Sequence, residues 1–147
     1  MTTISTVDQI RSIDGKVYVR WSRSVKLDQK RGYSLRYGSQ AEAGLSCCEI
    51  DKTWADWRII RQLTEYQFCG GSCWIITGDE AGRGGDNEPL LINVTVIGKV
   101  SSNLLATDWQ AMEKEADIAW HRQKLTVLTN PIAIKIFEAD LARLLAS

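Results

Sequence analysis

No stretch of this chain approaches the run of about eighteen apolar residues that a membrane-spanning helix needs. Trp74-Ile75-Ile76 and Leu90-Leu91-Ile92 are typical of its longest runs, so a membrane partner is not expected. The opening residues, Met1 to Asp14, contain neither a basic n-region nor an apolar h-region. A secretory signal is therefore not expected there, and the expected location is cytoplasmic. Net charge is missing as well: 18 Lys and Arg balance 18 Asp and Glu. That balance removes the simplest electrostatic case for a dedicated nucleic-acid or membrane-surface protein. Histidine occurs once, at His121, and there is no internal repeat or low-complexity tract.

Four cysteines are present. Without an export signal, reduced thiols are the expectation. Cys47 and Cys48 are adjacent, so on a strand they point to opposite faces and do not share one metal easily. Cys69 and Cys73 are separated by Gly70-Gly71-Ser72, which is not the C-x-x-C knuckle of a structural zinc site.

What is present is an ordinary globular composition over 147 residues, with 44% hydrophobic and 24% charged side chains. Such a length suits one domain spanning 1–147. The charge is nevertheless polarised. Residues 1–36 carry a net of +5, residues 37–90 a net of −5, and residues 91–147 are balanced.

Thr6-Val7-Asp8-Gln9 has the capping-box pattern and predicts a helix of about two turns through Ile13. Val17, Val19 and Trp21 alternate with polar neighbours, which predicts a half-buried strand. Residues 23–43 read as a long polar surface connection, and Leu45–Ile50 as a second strand. Thr53 is expected to cap a helix through about Phe68, with Trp54, Trp57, Ile60 and Leu63 on one face. Cys73–Thr77 and Leu90–Val100 complete four predicted strands. Thr107-Asp108-Trp109-Gln110 and Asn130-Pro131 open two closing helices. The last carries an apolar stripe of Ile132, Ile136, Leu141, Leu144 and Leu145, expected to pack in the core. The predicted fold class is α+β: a small mixed or antiparallel sheet of about four strands, with N-terminal, central and two C-terminal helices.

Between the last two predicted strands lies a long connection, 78–89, with four acids, one arginine and four glycines. Long loops in compact domains are often functional. Gly82-Arg83-Gly84-Gly85 lacks the spacing of a phosphate loop, and the carboxylates would repel a phosphate. Calcium is chemically better suited to Asp79, Glu80, Asp86 and Glu88, outside the EF-hand register, since positions three and five from Asp79 are Ala81 and Arg83. Alternatively, Asp86 and Asn87 bond to their own turn while the glycines supply positive φ.

The strings VYVRWSR (17–23), GLS (44–46) and ITGDEAGRGGDNEPLL (76–91) resemble those of a family of uncharacterised bacterial proteins. That resemblance covers about the first two-thirds of the chain and implies no activity. The order of Arg20, Ser46 and Glu88 is also similar to that of mono-ADP-ribosyltransferases of the Arg–Ser–Glu type. It implies a catalytic set in which an arginine clamps the phosphate or ribose of NAD, a serine orients the ribose, and a glutamate stabilises an oxocarbenium-like transition state. The chain departs from that pattern in having no S-T-S string after the second strand, and in Asp86 where the family has Glu or Gln.

The leading expectation is a small binding or regulatory protein of unassigned ligand, with Arg20, Asp79, Arg83, Asp86, Asn87 and Glu88 as ligand-binding residues. The alternatives are the NAD-dependent transferase, the calcium loop, and single-stranded nucleic-acid or protein binding through segment 20–37. That segment interleaves Arg20, Arg23, Lys26, Lys30, Arg31 and Arg36 with Trp21, Tyr33 and Tyr37. Nucleic acid is not the favoured partner, because the whole chain is neutral.

Overall fold

The computed structural model describes residues 2–22, 25–28, 32–35, 44–65 and 71–147. The chain divides into two compact units, Met1–Thr107 and Asp108–Ser147.

The first unit is built on a six-stranded mixed sheet. Its strands are β1 (Thr2–Ile4), β2 (Val17–Ser22), β5 (Leu45–Ser46), β6 (Cys48–Ile50), β7 (Ser72–Arg83) and β8 (Pro89–Val100), while β3 (Val25–Asp28) and β4 (Gly32–Leu35) form a separate two-stranded ladder. The order is β1-β8-β7-β2-β6, with β5 also paired to β8. Among the described residues only β1 and β8 run parallel. The expected four-strand sheet is thus corrected to six. The extra strands have physical causes. Thr2–Ile4 is too short to show a period, and only Ile4 of it is buried. The predicted strand 45–50 breaks at Cys47, so its first part bonds to β8 and its second to β2. Through that break the ladders return on themselves, β2 to β7 to β8 to the 45–50 segment and back to β2. The polar segment 23–43, expected as a plain connection, contains the β3–β4 ladder.

The connection 78–89 is also corrected. Most of it is strand: β7 continues to Arg83 and β8 starts at Pro89. Register shifts between Thr77 and Asp79 and between Glu80 and Gly82 absorb extra residues as bulges, so glycine- and acid-rich sequence stays in the ladder. Only Gly84–Glu88 turns. Gly84 N–H donates to the Glu88 carbonyl at 2.8 Å, Asn87 N–H to the Gly84 carbonyl at 3.0 Å, and Asn87 adopts φ 60°.

Five helices occur among the described residues, against the four expected. In α1 (Val7–Arg11) the Thr6/Gln9 capping box forms as predicted, with Gln9 N–H donating to Thr6 Oγ1 at 3.3 Å. Helix α2 (Asp56–Glu65) starts three residues after Thr53, because the Thr53 N–H and hydroxyl both donate to Asp51 and form a turn first. Residues 66–68 of the predicted helix lie outside the described residues. The buried side chains of α2 are Ile59, Ile60 and Leu63. Trp54 sits ahead of the helix with the Arg58 guanidinium 4.0 Å over its ring. The helix that sequence did not announce is α3 (Ser102–Leu105), one turn capped by Ser101 Oγ accepting from Leu104 N–H at 3.1 Å.

Each face of the sheet has its own packing. Trp21 and Cys73, opposite one another on β2 and β7, both donate to the Leu63 carbonyl, at 2.5 and 3.8 Å, which fixes α2 over that face. Tyr18, Leu45, Cys47, Ile76, Leu91 and Val94 form a second buried cluster, with Trp74 and Val96 packed against it.

The second unit is a hairpin of α4 (Trp109–Val127) and α5 (Pro131–Ala146). Asp108, rather than Thr107, caps α4, accepting from Ala111 N–H at 3.1 Å. Asn130 caps α5 ahead of Pro131, as predicted. No residue of either helix is buried. The α5 stripe is therefore not a core stripe: Ile132, Ile136 and Leu145 are exposed. Among the described residues, no helix is long and apolar enough to cross a membrane.

Candidate functional site

Alternation along β2 puts Tyr18 and Arg20 on one face, directly opposite Ile76 and Trp74 of β7. Strand β6 follows β2 only as far as Val19, which pairs with Cys48. Beyond that point β2 borders a cavity of about 340 Å³. Val19, Arg20 and Trp21 line it from β2, Ser46, Cys47 and Cys48 from the 45–50 segment, and Asp86 and Glu88 from the hairpin turn.

Arg20 Nη1 donates to the Ser46 carbonyl, which holds the guanidinium at the cavity wall. Its Nε is buried and has no hydrogen-bond partner among the described residues. The same is true of Glu88 Oε2. A donor and an acceptor thus stand buried and unsatisfied on residues lining one cavity. Buried polar groups are normally paired, and each one left unmade costs about 1–3 kcal/mol.

Gly84 makes room for Glu88. A Cβ built on Gly84 would lie 2.2 Å from Glu88 Oε1, so a side chain there and the present carboxylate position exclude each other. Sequence reasoning passed over Gly84, whose only signal is a glycine four residues before the glutamate in a tight hairpin. It also passed over Cys47 and Cys48 as cavity residues.

The cavity thiols are poor nucleophiles. Burial pushes Cys47 up to about 12, reinforced by neighbouring negative groups and partly opposed by Arg20. Cys48 is raised by burial and then by the Glu88 and Glu65 carboxylates. Cys73, buried on the other face, also stands at about 12. Among the described residues Cys47, Cys48 and Cys73 are free. At pH 8 both Cys47 and Cys73 stand protonated. Iodoacetamide should therefore label neither residue in the folded chain within minutes, and both after denaturation, as read by peptide mass spectrometry.

Of the residues expected to bind ligand, the structure brings together Arg20, Asp86 and Glu88, and with them Ser46, expected only in the transferase set. It sends the others elsewhere. Asp79 is exposed and accepts from Asn93 Nδ2 at 3.0 Å. Glu80 accepts from the Tyr18 hydroxyl at 2.8 Å and lies 3.7 Å from Lys16 Nζ. The Tyr18 bond, with Lys16 nearby, lowers the Glu80 carboxyl, while burial and then Glu80 raise the Tyr18 phenol. Arg83 Nη1 donates to the Asn87 carbonyl at 3.2 Å and braces the turn. Among the described residues no three carboxylate, thiol or imidazole side chains gather as a metal requires. Asp79, Glu80, Asp86 and Glu88 do not form a calcium cage. Of the basic segment 20–37, the side chains beyond Ser22 lie outside the described residues.

A family model described as a family of unknown function, DUF6098, matches residues 1–122. The chain belongs to this family. No curated protein and no solved structure matches it. The DUF6098 match spans the whole first unit, so every residue lining the Arg20–Glu88 cavity falls inside it.

Proposed function

We propose that this DUF6098 chain is a small-ligand binding protein whose ligand lodges between Arg20 and Glu88. The observation that carries this reading is the pair of buried, unpartnered groups, Arg20 Nε and Glu88 Oε2, on residues lining one cavity. A ligand that satisfies both turns the covered Arg20 Nε and Glu88 Oε2 toward the cavity, presenting an acceptor to the guanidinium and a hydroxyl or N–H to the carboxylate. The cavity volume, near the lower end of the range for ligand sites, suits a single ring or sugar-sized group. A cytoplasmic setting agrees with the free thiols.

A second reading, the NAD-dependent mono-ADP-ribosyltransferase-like enzyme, is favoured by one observation. Arg20, Ser46 and Glu88, which lie far apart in sequence, line the same cavity. In that reading the nicotinamide–ribose half of NAD occupies it. Glu88 accepts from the ribose hydroxyl and stabilises the cation left as nicotinamide departs with the bonding pair; water or a substrate's nucleophilic group then adds to the anomeric carbon and loses its proton to solvent. The rest of the dinucleotide lies outside.

Thermal-shift measurements with hydroxy acids, monosaccharides, NAD and calcium, each alone, test both readings. A small polar compound should raise the melting temperature of the wild type. Glu88→Gln should abolish that shift, and so should Gly84→Ala, because its new methyl displaces the Glu88 carboxylate. Since only the end of a flexible side chain must move, Gly84→Ala should change stability by no more than about 0.5 kcal/mol. If NAD is the ligand, free nicotinamide should accumulate with wild type and fall by about 10²–10³ in Glu88→Gln. Shifts that survive unchanged in both variants would remove this cavity as the site.

A further inference from the structure

We propose that the ligand of the Arg20–Glu88 cavity is a basic α-amino acid, of the class of lysine, ornithine and arginine. This inference rests on the reading of that cavity as the binding site and adds the chemistry of what it takes. Three charged side chains line the cavity, Arg20 from β2 and Asp86 and Glu88 from the hairpin turn. All three stand around a volume of about 340 Å³, yet among the described ion pairs none joins Arg20 to either carboxylate. Opposite charges that share a cavity without meeting leave room for a molecule carrying the complementary set.

Charge identifies the class. One guanidinium and two carboxylates leave the lining with an excess of one negative charge. A monosaccharide is neutral and meets none of the three with an opposite charge. A hydroxy acid meets Arg20 but brings a third carboxylate to the two already there, and like charges at close range repel. A basic α-amino acid carries the inverse set: a carboxylate for Arg20, an α-ammonium for Glu88 and a side-chain cation for Asp86. Hydrogen bonds between charged partners are about twice as strong as neutral ones, so the matched set is the one that repays desolvation.

Burial sets the orientation. Arg20 and Glu88 are half-buried, while Asp86 is exposed. The carboxylate and α-ammonium therefore enter, and the side chain runs outward to Asp86. Both inner groups are free to turn toward the ligand. Arg20 is held at Nη1 by the Ser46 carbonyl, so its Nε edge pivots about that bond. The Glu88 carboxylate lies over Gly84, which has no side chain, and no hydrogen bond holds its Oε2 among the described residues. Its charge also acts on Cys48, another cavity residue, whose thiol it helps to raise.

Isothermal titration of the full chain at pH 7 with L-lysine and L-arginine tests the proposal, because each charge can be removed from the ligand without touching the fold. The tighter of the two should lose at least about tenfold in affinity as its carboxamide, and again as its Nα-acetyl derivative. Removing the side-chain charge, as in norleucine or citrulline, should cost about threefold, since Asp86 is exposed. Asp86→Asn should bring that last ratio to about one. Failure of both amino acids to bind overturns the proposal; a hydroxy acid or monosaccharide whose binding Glu88→Gln abolishes would then keep the cavity as the site. Affinity indifferent to the amide and acetyl changes overturns it equally. Amino-acid binding that survives in both Glu88→Gln and Gly84→Ala removes the cavity and the proposal together.

Discussion

Replacing Trp21 with alanine is expected to remove about 3–5 kcal/mol from the stability of the first unit. The ring is 7% exposed, and its Nε1 donates to the Leu63 carbonyl at 2.5 Å. The substitution therefore opens a void between sheet and α2 and strips a buried carbonyl of its main donor. Urea unfolding followed by circular dichroism at 222 nm provides the measurement. Trp21→Phe keeps much of the packing and loses the donor, so it should cost less, about 1–3 kcal/mol. A loss below about 1 kcal/mol in Trp21→Ala would mean that α2 is held to the sheet by other contacts.

The second large effect is expected at Gly98→Ala. A Cβ at Gly98 would lie 1.9 Å from the Thr2 carbonyl oxygen and 2.9 Å from its carbon, with Ile4 Cγ1 at 3.3 Å. The closest atoms are backbone, so no rotamer change relieves the contact. Strand β1 must leave, exposing Ile4 and breaking the 2.8 Å bond from Ser101 N–H to the Ile4 carbonyl. The expected cost is about 3 kcal/mol, the upper end of ordinary overpacking. Hydrogen exchange should accelerate selectively in residues 2–4 and 98–101. Gly85→Ala is the matched control, since a Cβ there meets nothing within 4 Å among the described residues. Equal stability of the two variants would contradict the observed closeness of β1 and β8.

Much of this architecture is legible in the sequence where one local signal dominates. The alternation at Val17–Trp21, the β-branched run at Leu90–Val100, the Thr6/Gln9 box and Asn130-Pro131 each specify an element that forms. Legibility fails where pairing overrides composition. Glycines and acids from Gly78 to Arg83 suggest a loop, yet bulges keep them in the β7–β8 ladder. Nothing in Leu45–Ile50 announces that its two halves bond to different strands, and β1 shows only when its partner at Gly98–Val100 is known.

The candidate site divides in the same way. Asp86 and Glu88 are suggested by the chemistry of the 78–89 connection, and Arg20, Ser46 and Glu88 by their resemblance in order to the Arg–Ser–Glu transferases. All four do share a cavity. Asp79, Glu80, Arg83 and Asn87 looked equivalent to them while 78–89 was read as one loop. As hairpin arms and turn corner, these residues take other partners. Gly84, which permits the Glu88 position, carries no chemical group that could have singled it out.

The parallel pairing of Thr2–Ile4 with Gly98–Val100 sets an order of events during synthesis. Within this unit, β1 is made before every other strand and has no sheet neighbour until β8 exists. At translation rates on the order of ten residues per second, Ile4 waits about ten seconds for its partner. During that interval the nascent chain has only local structure to offer its leading end, and the α1 turn capped by Thr6 is the piece that can form at once. Closure of the sheet is then a late event that joins the two ends of the unit together. A shortened chain ending before Gly98 would leave β1 without a place to bond.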